Sequence, residues 1–157
     1  MSTHNALINM LDPQAVFLRV DAEDAVEAIS LLGGKLLEMG CVTDGYVAAV
    51  LEREATMPTG LPLGELNVAV PHTDPEHVLV PAIAVATLRR PVAFGNMEDP
   101  AESLAVSIIF LLALKEKGKQ IEMLQSIAML LQSGSVLQRL SAVENADEAM
   151  ALIASAA

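Results

Sequence analysis

The sequence predicts an α/β fold in which helices cover both faces of a mixed β-sheet of about four or five strands. Segment 104–114 (LAVSIIFLLAL) is apolar almost throughout, which is typical of a strand buried on both faces. Segment 26–39 instead spaces its apolar side chains three or four residues apart, the period of one helix face. Helical patterns precede, separate and follow the strand-like segments, and that alternation favours the α/β class.

The first elements are predicted to be a short strand and a long helix. Segment 15–20 (AVFLRV) has the composition of a strand, whereas residues 1–14 are expected to fray. The helix is expected to begin at an Asp21 cap and to end at Gly40. Its interior contains the Gly33-Gly34 pair, and each glycine costs about 1 kcal/mol relative to alanine. Close packing against another element is the expected reason for the pair.

The second helix is expected to begin at a Thr43 or Asp44 cap and to end near 53–54. Farther along, Arg90-Pro91 is expected to turn the chain between two strands. The other predicted elements are a Pro/Gly-rich loop over 56–64, strands over 66–70, 78–88, 92–94 and 104–114, a polar loop over 115–119, and helices over 121–131, 136–140 and 147–154.

Length and charge limit the function classes. The 157 residues fit a single domain over 1–157, with a core over about 20–155. Nine Lys and Arg against twenty Asp and Glu give a net charge of −11, which makes nucleic acid and anionic membrane surfaces unlikely partners. No apolar run approaches the roughly 20 residues of a spanning helix, and the single cysteine, Cys41, allows no internal disulfide. We therefore expect a cytoplasmic protein without membrane insertion.

His72 is the leading candidate for chemistry. It directly follows a strand that Pro71 ends, and α/β sheets place their ligand crevices at the carboxyl ends of strands. A loop histidine with ordinary hydrogen bonds, a nucleophile or acid–base group, and a metal ligand paired with His77 all remain open on spacing alone. Pro75 excludes the helical geometry of the common zinc motif, which weakens the metal hypothesis.

Cations near the predicted crevice have two interpretations each. Arg53 stabilises a helix carboxyl terminus by its charge alone, but its planar fork of donors also suits a phosphate or a carboxylate. Lys115, Lys117 and Lys119 follow the long buried strand and form either a solvated loop or one border of the crevice.

Three segments together resemble a known family. They are 51–54 (LERE), 58–60 (PTG) and 68–72 (VAVPH). Their order and separations are similar to those of phosphotransferase-system (PTS) enzyme IIA domains of the fructose/mannitol class, also called EIIA type 2. The similarity covers nearly the whole chain, and the PTG segment with the second histidine, His77, most resembles the galactitol-type enzyme IIA.

This resemblance implies a reaction and its partners. The chain is expected to be a phosphotransferase component that accepts a phosphoryl group from phospho-HPr on His72 and passes it to a sugar-specific enzyme IIB. The membrane enzyme IIC would be an indirect partner, and no metal or other cofactor is implied. The alternative is a regulatory module in which phosphorylation of His72 acts as a switch for a binding partner.

The resemblance also implies roles for other residues. Arg53 would offset phosphoryl charge, and Thr73, Gln120 and His77 are possible supporting residues. Mannitol-type relatives carry a second active-site histidine where this sequence has Gln120, so the role of that histidine does not transfer to this chain. Gln120 retains the capacity to donate a hydrogen bond to a phosphoryl oxygen.

Overall fold

Five strands among the described residues form one mixed sheet in the order β1–β4–β5–β3–β2. The computed structural model describes residues 10–63, 66–115, 125–127, 129–130, 132 and 134–155. The strands are β1 (Leu11–Val20), β2 (Gly60–Leu61), β3 (Asn67–Ala69), β4 (Ala82–Gly95) and β5 (Ser103–Ala113). The helices are α1 (Ala25–Glu38), α2 (Tyr46–Thr56), α3 (Gly134–Ala142) and α4 (Ala146–Ser155).

Strand directions bring two carboxyl ends to one edge of the sheet. β4 and β5 pair antiparallel at the centre, and β1 runs parallel to β4. β3 runs parallel to β5, and the two-residue β2 pairs antiparallel with β3. The carboxyl ends of β3 and β5 therefore lie side by side.

Helices bury apolar side chains on both faces of the sheet, as predicted for the α/β class. On one face, Ile29 of α1 and Val50 of α2 belong to the same buried cluster as Leu111 of β5. On the other face, Leu140 of α3 and Ile153 of α4 share a cluster with β-strand residues. Within the described part of the chain, no helix is long and apolar enough to span a bilayer.

The Gly33-Gly34 pair has two different environments. A Cβ atom at Gly33 would lie 2.5 Å from Cγ2 of Val47, so a larger residue there would require α1 or the Val47 side chain to shift. A Cβ atom at Gly34 would meet nothing within 4 Å. Close packing therefore explains the first glycine, as predicted, and does not explain the second.

The predicted turn at Arg90-Pro91 and the separate strand over 92–94 are wrong. β4 continues through both to Gly95, and the predicted start of the strand at Val78 lies before its observed start at Ala82. Pairing between β4 and β5 shifts register between Thr87 and Val92. Proline, which has no N–H to donate, is tolerated at such irregularities.

The expectation that residues 1–14 fray is wrong for its last members, because β1 begins at Leu11; residues 1–9 lie outside the described part. β1 includes Pro13 because it is an edge strand, and its register with β4 shifts between Leu11 and Val16.

The helix caps also differ from the prediction. Asp24, not Asp21, caps α1 by accepting from the Glu27 N–H at 2.8 Å. Asp21 instead pairs with Arg90 at 2.6 Å. The N-cap of α2 is Gly45 and not Thr43 or Asp44, and the helix runs on to Thr56, beyond its predicted end near 53–54.

Two helices near the carboxyl end were predicted with shorter bounds. α3 extends two residues beyond each end of its predicted range, and α4 extends one residue beyond each end. Of the helix predicted over 121–131, residues 125–127 and 129–130 are described, and they are helical.

Candidate functional site

His72 lies just beyond the carboxyl end of β3, beside the end of β5. The carbonyl of Pro71 accepts a hydrogen bond from the Leu112 N–H of β5 at 3.0 Å. Pro71 has no N–H with which to extend the ladder, so the chain leaves the sheet here. The tie to Leu112 fixes the residue that precedes the histidine, and His72 therefore stands at the predicted edge of the sheet.

Hydrogen bonding selects one tautomer of the half-buried His72 ring. Nδ1 lies 2.8 Å from the carbonyl oxygen of Val70. A carbonyl only accepts, so Nδ1 carries the proton and the lone pair resides on Nε2. Burial lowers the pKa of His72, and the nearby charge of Arg53 lowers it further, against opposing effects of the Val70 hydrogen bond and of Asp74. The ring is thus held neutral with a nucleophilic Nε2.

Arg53 reaches the same edge from the last turn of α2. Its Nη1 lies 3.5 Å from Oδ1 of Asp74, and the arginine side chain keeps 32% of its surface exposed. Arg53 lies close enough to His72 for its positive charge to contribute, after burial, to the lowered pKa of the ring. The structure therefore brings together the two residues that the sequence placed first, and it adds Asp74 as the partner of Arg53.

The three supporting candidates have different positions. His77 ends a single 3-10 turn (Pro75–His77), and its carbonyl accepts from the Thr43 N–H at 2.9 Å. A Cβ atom at Gly45 would lie 3.3 Å from Nδ1 of His77, so that ring stands against the amino end of α2. Thr73 is buried, and Gln120 lies outside the described residues.

The described residues offer no convergent metal ligands. Across those ranges, no three His, Cys, Asp or Glu residues are grouped so that they could hold a metal ion. The pair His72 and His77 therefore has no third ligand within that part of the chain. Lys115 donates to the Leu79 carbonyl at 3.3 Å, next to the His77 turn, whereas Lys117 and Lys119 lie outside the described residues.

Sequence reasoning assigned no role to Glu54 and Thr59. Glu54 binds Thr59, and Thr59 binds the backbone of Val70, two residues before His72. Glu54 accepts from the Thr59 N–H at 2.8 Å and from the Thr59 hydroxyl at 2.7 Å. The Val70 N–H in turn lies 3.2 Å from the Thr59 hydroxyl oxygen and 3.3 Å from the Thr59 carbonyl. Glu54 belongs to the LERE segment and Thr59 to the PTG segment. The sequence analysis therefore singled out both segments but did not predict the hydrogen bonds that these residues make.

Comparisons with known proteins identify the family of the chain. Residues 9–156 match the family described as "Phosphoenolpyruvate-dependent sugar phosphotransferase system, EIIA 2". The galactitol-specific EIIA component of the PTS of Escherichia coli (strain K12) is 28% identical over 117 residues, which cover 74% of this chain and 77% of that protein. The transcriptional regulator ManR of Bacillus subtilis (strain 168) is also 28% identical, over 141 residues. That match covers 88% of this chain, which spans only 20% of the regulator.

A solved structure matches both fold and sequence. It is the complex of enzyme IIA and phosphorylated enzyme IIB of the mannitol system from Escherichia coli. The match has a TM-score of 0.75 and 30% identity, and it covers 91% of this chain and 96% of that one. The chain belongs to the EIIA type 2 family of phosphoenolpyruvate-dependent sugar phosphotransferase systems.

Proposed function

We propose that the chain is a cytoplasmic phosphocarrier, acting as one EIIA unit over 1–157, that carries a phosphoryl group on Nε2 of His72. The observation that carries the proposal is the hydrogen bond from Nδ1 to the Val70 carbonyl, which leaves the lone pair on Nε2. A depressed pKa keeps this nitrogen unprotonated near neutral pH, so it is ready to attack phosphorus.

The transfer step conserves atoms and charge without a cofactor. Nε2 attacks the phosphorus of a donor phosphohistidine in line, a new N–P bond forms, and the N–P bond of the donor breaks. The Nδ1–H bond stays intact, and the Val70 carbonyl stabilises the positive charge that develops on the ring. In the second step, a nucleophile of the acceptor takes the phosphoryl group and Nε2 regains its lone pair.

Arg53 supplies positive charge to this step. In the free protein it is paired with Asp74 at 3.5 Å, a distance that marks a loose pair. A phosphoryl group on Nε2 carries more negative charge than one carboxylate and accepts a bidentate contact from guanidinium, so it competes with Asp74 for Arg53. Thr73, His77 and Gln120 remain proposed supporting residues.

The donor and acceptor in this proposal are proteins. The matched mannitol complex joins an enzyme IIA to a phosphorylated enzyme IIB, which supports an enzyme IIB as the acceptor here. Phospho-HPr is the proposed donor and enzyme IIC the indirect membrane partner. Exposed apolar side chains at Met57, after the Arg53 turn, and at Leu79 and Val80, after the His77 turn, favour protein contacts around the site.

A reconstituted transfer assay tests the carrier chemistry. Phosphoenolpyruvate, enzyme I and HPr are mixed with the wild-type protein, with His72→Gln, or with His77→Gln as a matched histidine control. At the end of the reaction we expect one acid-labile phosphate on the wild type and on His77→Gln, because a supporting residue affects the rate and not the site of labelling, and none on a folded His72→Gln. Labelling of His72→Gln, or of none of the three proteins, overturns the proposal.

A regulatory role is the second candidate, and the match to ManR favours it. There, phosphorylation of His72 would act as a switch for a binding partner instead of a relay. Onward transfer separates the two roles: a carrier loses its phosphate to an enzyme IIB within seconds, and a switch retains it. Identity to the galactitol and mannitol proteins is similar, at 28% and 30%, so transfer to enzymes IIB of both systems should be compared.

A further inference from the structure

Two sets of hydrogen bonds, joined by the backbone of Val70, connect α2 to the His72 ring. The first set starts at the carboxylate of Glu54, whose two oxygens accept from the N–H and the hydroxyl of Thr59 at 2.8 and 2.7 Å. The Thr59 hydroxyl donates to Glu54, so a lone pair of its oxygen is free to accept from the Val70 N–H at 3.2 Å. The Val70 carbonyl then accepts from Nδ1 of His72 at 2.8 Å.

The first set of bonds holds Val70 on its amino side, and β5 holds the residue that follows. The Thr59 carbonyl lies 3.3 Å from the same Val70 N–H, and the Leu112 N–H donates to the Pro71 carbonyl. As the residue before a proline, Val70 is also restricted to extended backbone conformations. Hydrogen bonds therefore hold both the N–H of Val70 and the carbonyl of Pro71, and the Val70 carbonyl that orients His72 lies between these two fixed points.

Apolar surroundings strengthen the first link. Thr59 is 3% exposed, and Glu54 is half-buried beside a cavity of about 330 Å³ that is otherwise lined by apolar residues and glycine. Burial raises the pKa of Glu54, whereas its two bonds from Thr59 lower it. Hydrogen bonds are stronger in such a medium, and a missing partner is costlier.

Arg53 and Glu54 are adjacent on the last turn of α2 but have different partners. Successive residues of a helix point about 100° apart, so one side chain turns toward Asp74 and the His72 ring while the other turns toward Thr59. The position of one helix end thus sets both the phosphoryl-binding charge and the support of the histidine backbone.

We propose that Glu54 and Thr59 are positioning residues that fix the Val70 carbonyl, and through it the tautomer and orientation of His72. The expected effect of these two residues on phosphoryl transfer rests on the proposed function, whereas their expected effect on the tautomer of His72 does not. Neither residue needs to touch the phosphoryl group. A purely structural role would lower stability and leave the ring tautomer unchanged.

The test uses three variants and one control. Thr59→Val keeps the side-chain shape but removes the hydroxyl, Glu54→Gln replaces one acceptor oxygen by a donor, and Thr59→Ser retains the hydroxyl. Glu52→Gln is the matched control, because it makes the same charge change at an exposed position of the same helix. Circular dichroism and thermal melting establish which variants fold. If Glu54→Gln does not fold, Thr59→Val alone is sufficient for the test.

Two readouts are needed. Long-range proton–nitrogen NMR of the imidazole reports the tautomer without any phosphoryl donor. We expect wild type, Thr59→Ser and Glu52→Gln to hold the proton on Nδ1, and Thr59→Val and Glu54→Gln to show a mixture of tautomers. The second readout is the rate of phosphoryl transfer at saturating phospho-HPr, where the two disrupting variants should lose about tenfold.

The outcomes separate this inference from the proposed function. Folded variants with an unchanged ring tautomer and an unchanged saturating rate overturn the positioning role. A tautomer shift in Thr59→Val that Thr59→Ser rescues supports it, even if the wild type accepts no phosphate. If the wild type accepts no phosphate but the tautomer shift is observed, the proposed function fails and the positioning role of Glu54 and Thr59 stands.

Discussion

At the scale of single residues, the site depends on a neutral imidazole that burial maintains. Burial lowers the pKa of His72 in the folded protein, whereas the unfolded chain takes up its proton at the ordinary histidine value. The unfolded state then binds more protons in the interval between the two pKa values. The free energy of unfolding therefore falls as the pH drops through this interval.

This linkage predicts a pH-dependent difference between the wild type and His72→Gln. Lowering the pH from about 7.5 to about 5.5, across the ordinary histidine pKa of about 6.5, should destabilise the wild type more than the variant. Urea unfolding at both pH values measures the difference. The raised pKa of Glu54 acts with the opposite sign, losing stability as the pH rises, but it is common to both proteins and cancels. Equal changes in the two proteins contradict the pKa shift of His72.

Arg53 should matter more to transfer than to stability. Its pair with Asp74 is partly exposed, and such pairs contribute at most about 1 kcal/mol. The free energy of unfolding of Arg53→Ala should therefore lie within about that amount of the wild-type value. The variant should nevertheless accept phosphate at least about tenfold more slowly, because it lacks the positive charge that faces the phosphoryl group. Arg90→Ala, which breaks the exposed pair with Asp21, is the control. A normal rate in Arg53→Ala would reduce Arg53 to a helix-end cation.

The residues of the site were predictable to different degrees. The local sequence predicted where His72 and Arg53 lie, because Pro71 ends a strand before the histidine and a helix ends near the arginine. Their proposed roles followed only from the family resemblance. Glu54 and Thr59 were not predictable, because their effect depends on the contact between Thr59 and Val70, eleven residues apart. Such a contact exists only once β2 and β3 pair, and no local pattern marks it.

At the scale of elements, the packing of α1 on α2 gives a matched pair of substitutions. Gly33→Ala places a Cβ atom 2.5 Å from Cγ2 of Val47 and should cost about 1–3 kcal/mol. Gly34→Ala meets nothing within 4 Å and should gain about 0.5–1 kcal/mol, because alanine loses less backbone entropy in a helix. Chemical denaturation of both variants measures these changes. Changes of the same sign contradict the packing of the two helices.

Element types were largely predictable from periodicity, whereas bounds and continuity were not. β5 matches its apolar run within one residue at each end. The sequence predicted two strands separated at Arg90-Pro91, because proline usually ends a central strand. The observed β4 is continuous, since the register shift there accommodates the proline. Asp24 caps α1, whereas Asp21 pairs with Arg90, which is 69 residues away in sequence and is not visible in any local pattern.

At the scale of the whole molecule, the alternation of helix and strand patterns predicted two helix-covered faces but not the strand order. The order β1–β4–β5–β3–β2 depends on which strands cross over, and apolar runs do not encode that choice. This order places β3 parallel to β5, so that Leu112 can fix the Pro71 carbonyl next to His72. Local sequence places each of these residues at the end of a strand or helix, whereas the strand order determines which of them meet at the site.

The most direct test of the central claim is the position of the phosphoryl group on His72. The protein is phosphorylated by phosphoenolpyruvate, enzyme I and HPr, and nitrogen and phosphorus NMR then identify the ring nitrogen bonded to phosphorus. Because Nδ1 donates to the Val70 carbonyl, the predicted result is a single phosphohistidine at Nε2 of His72. A phosphoryl group on Nδ1, on another residue, or on none would contradict the assignment.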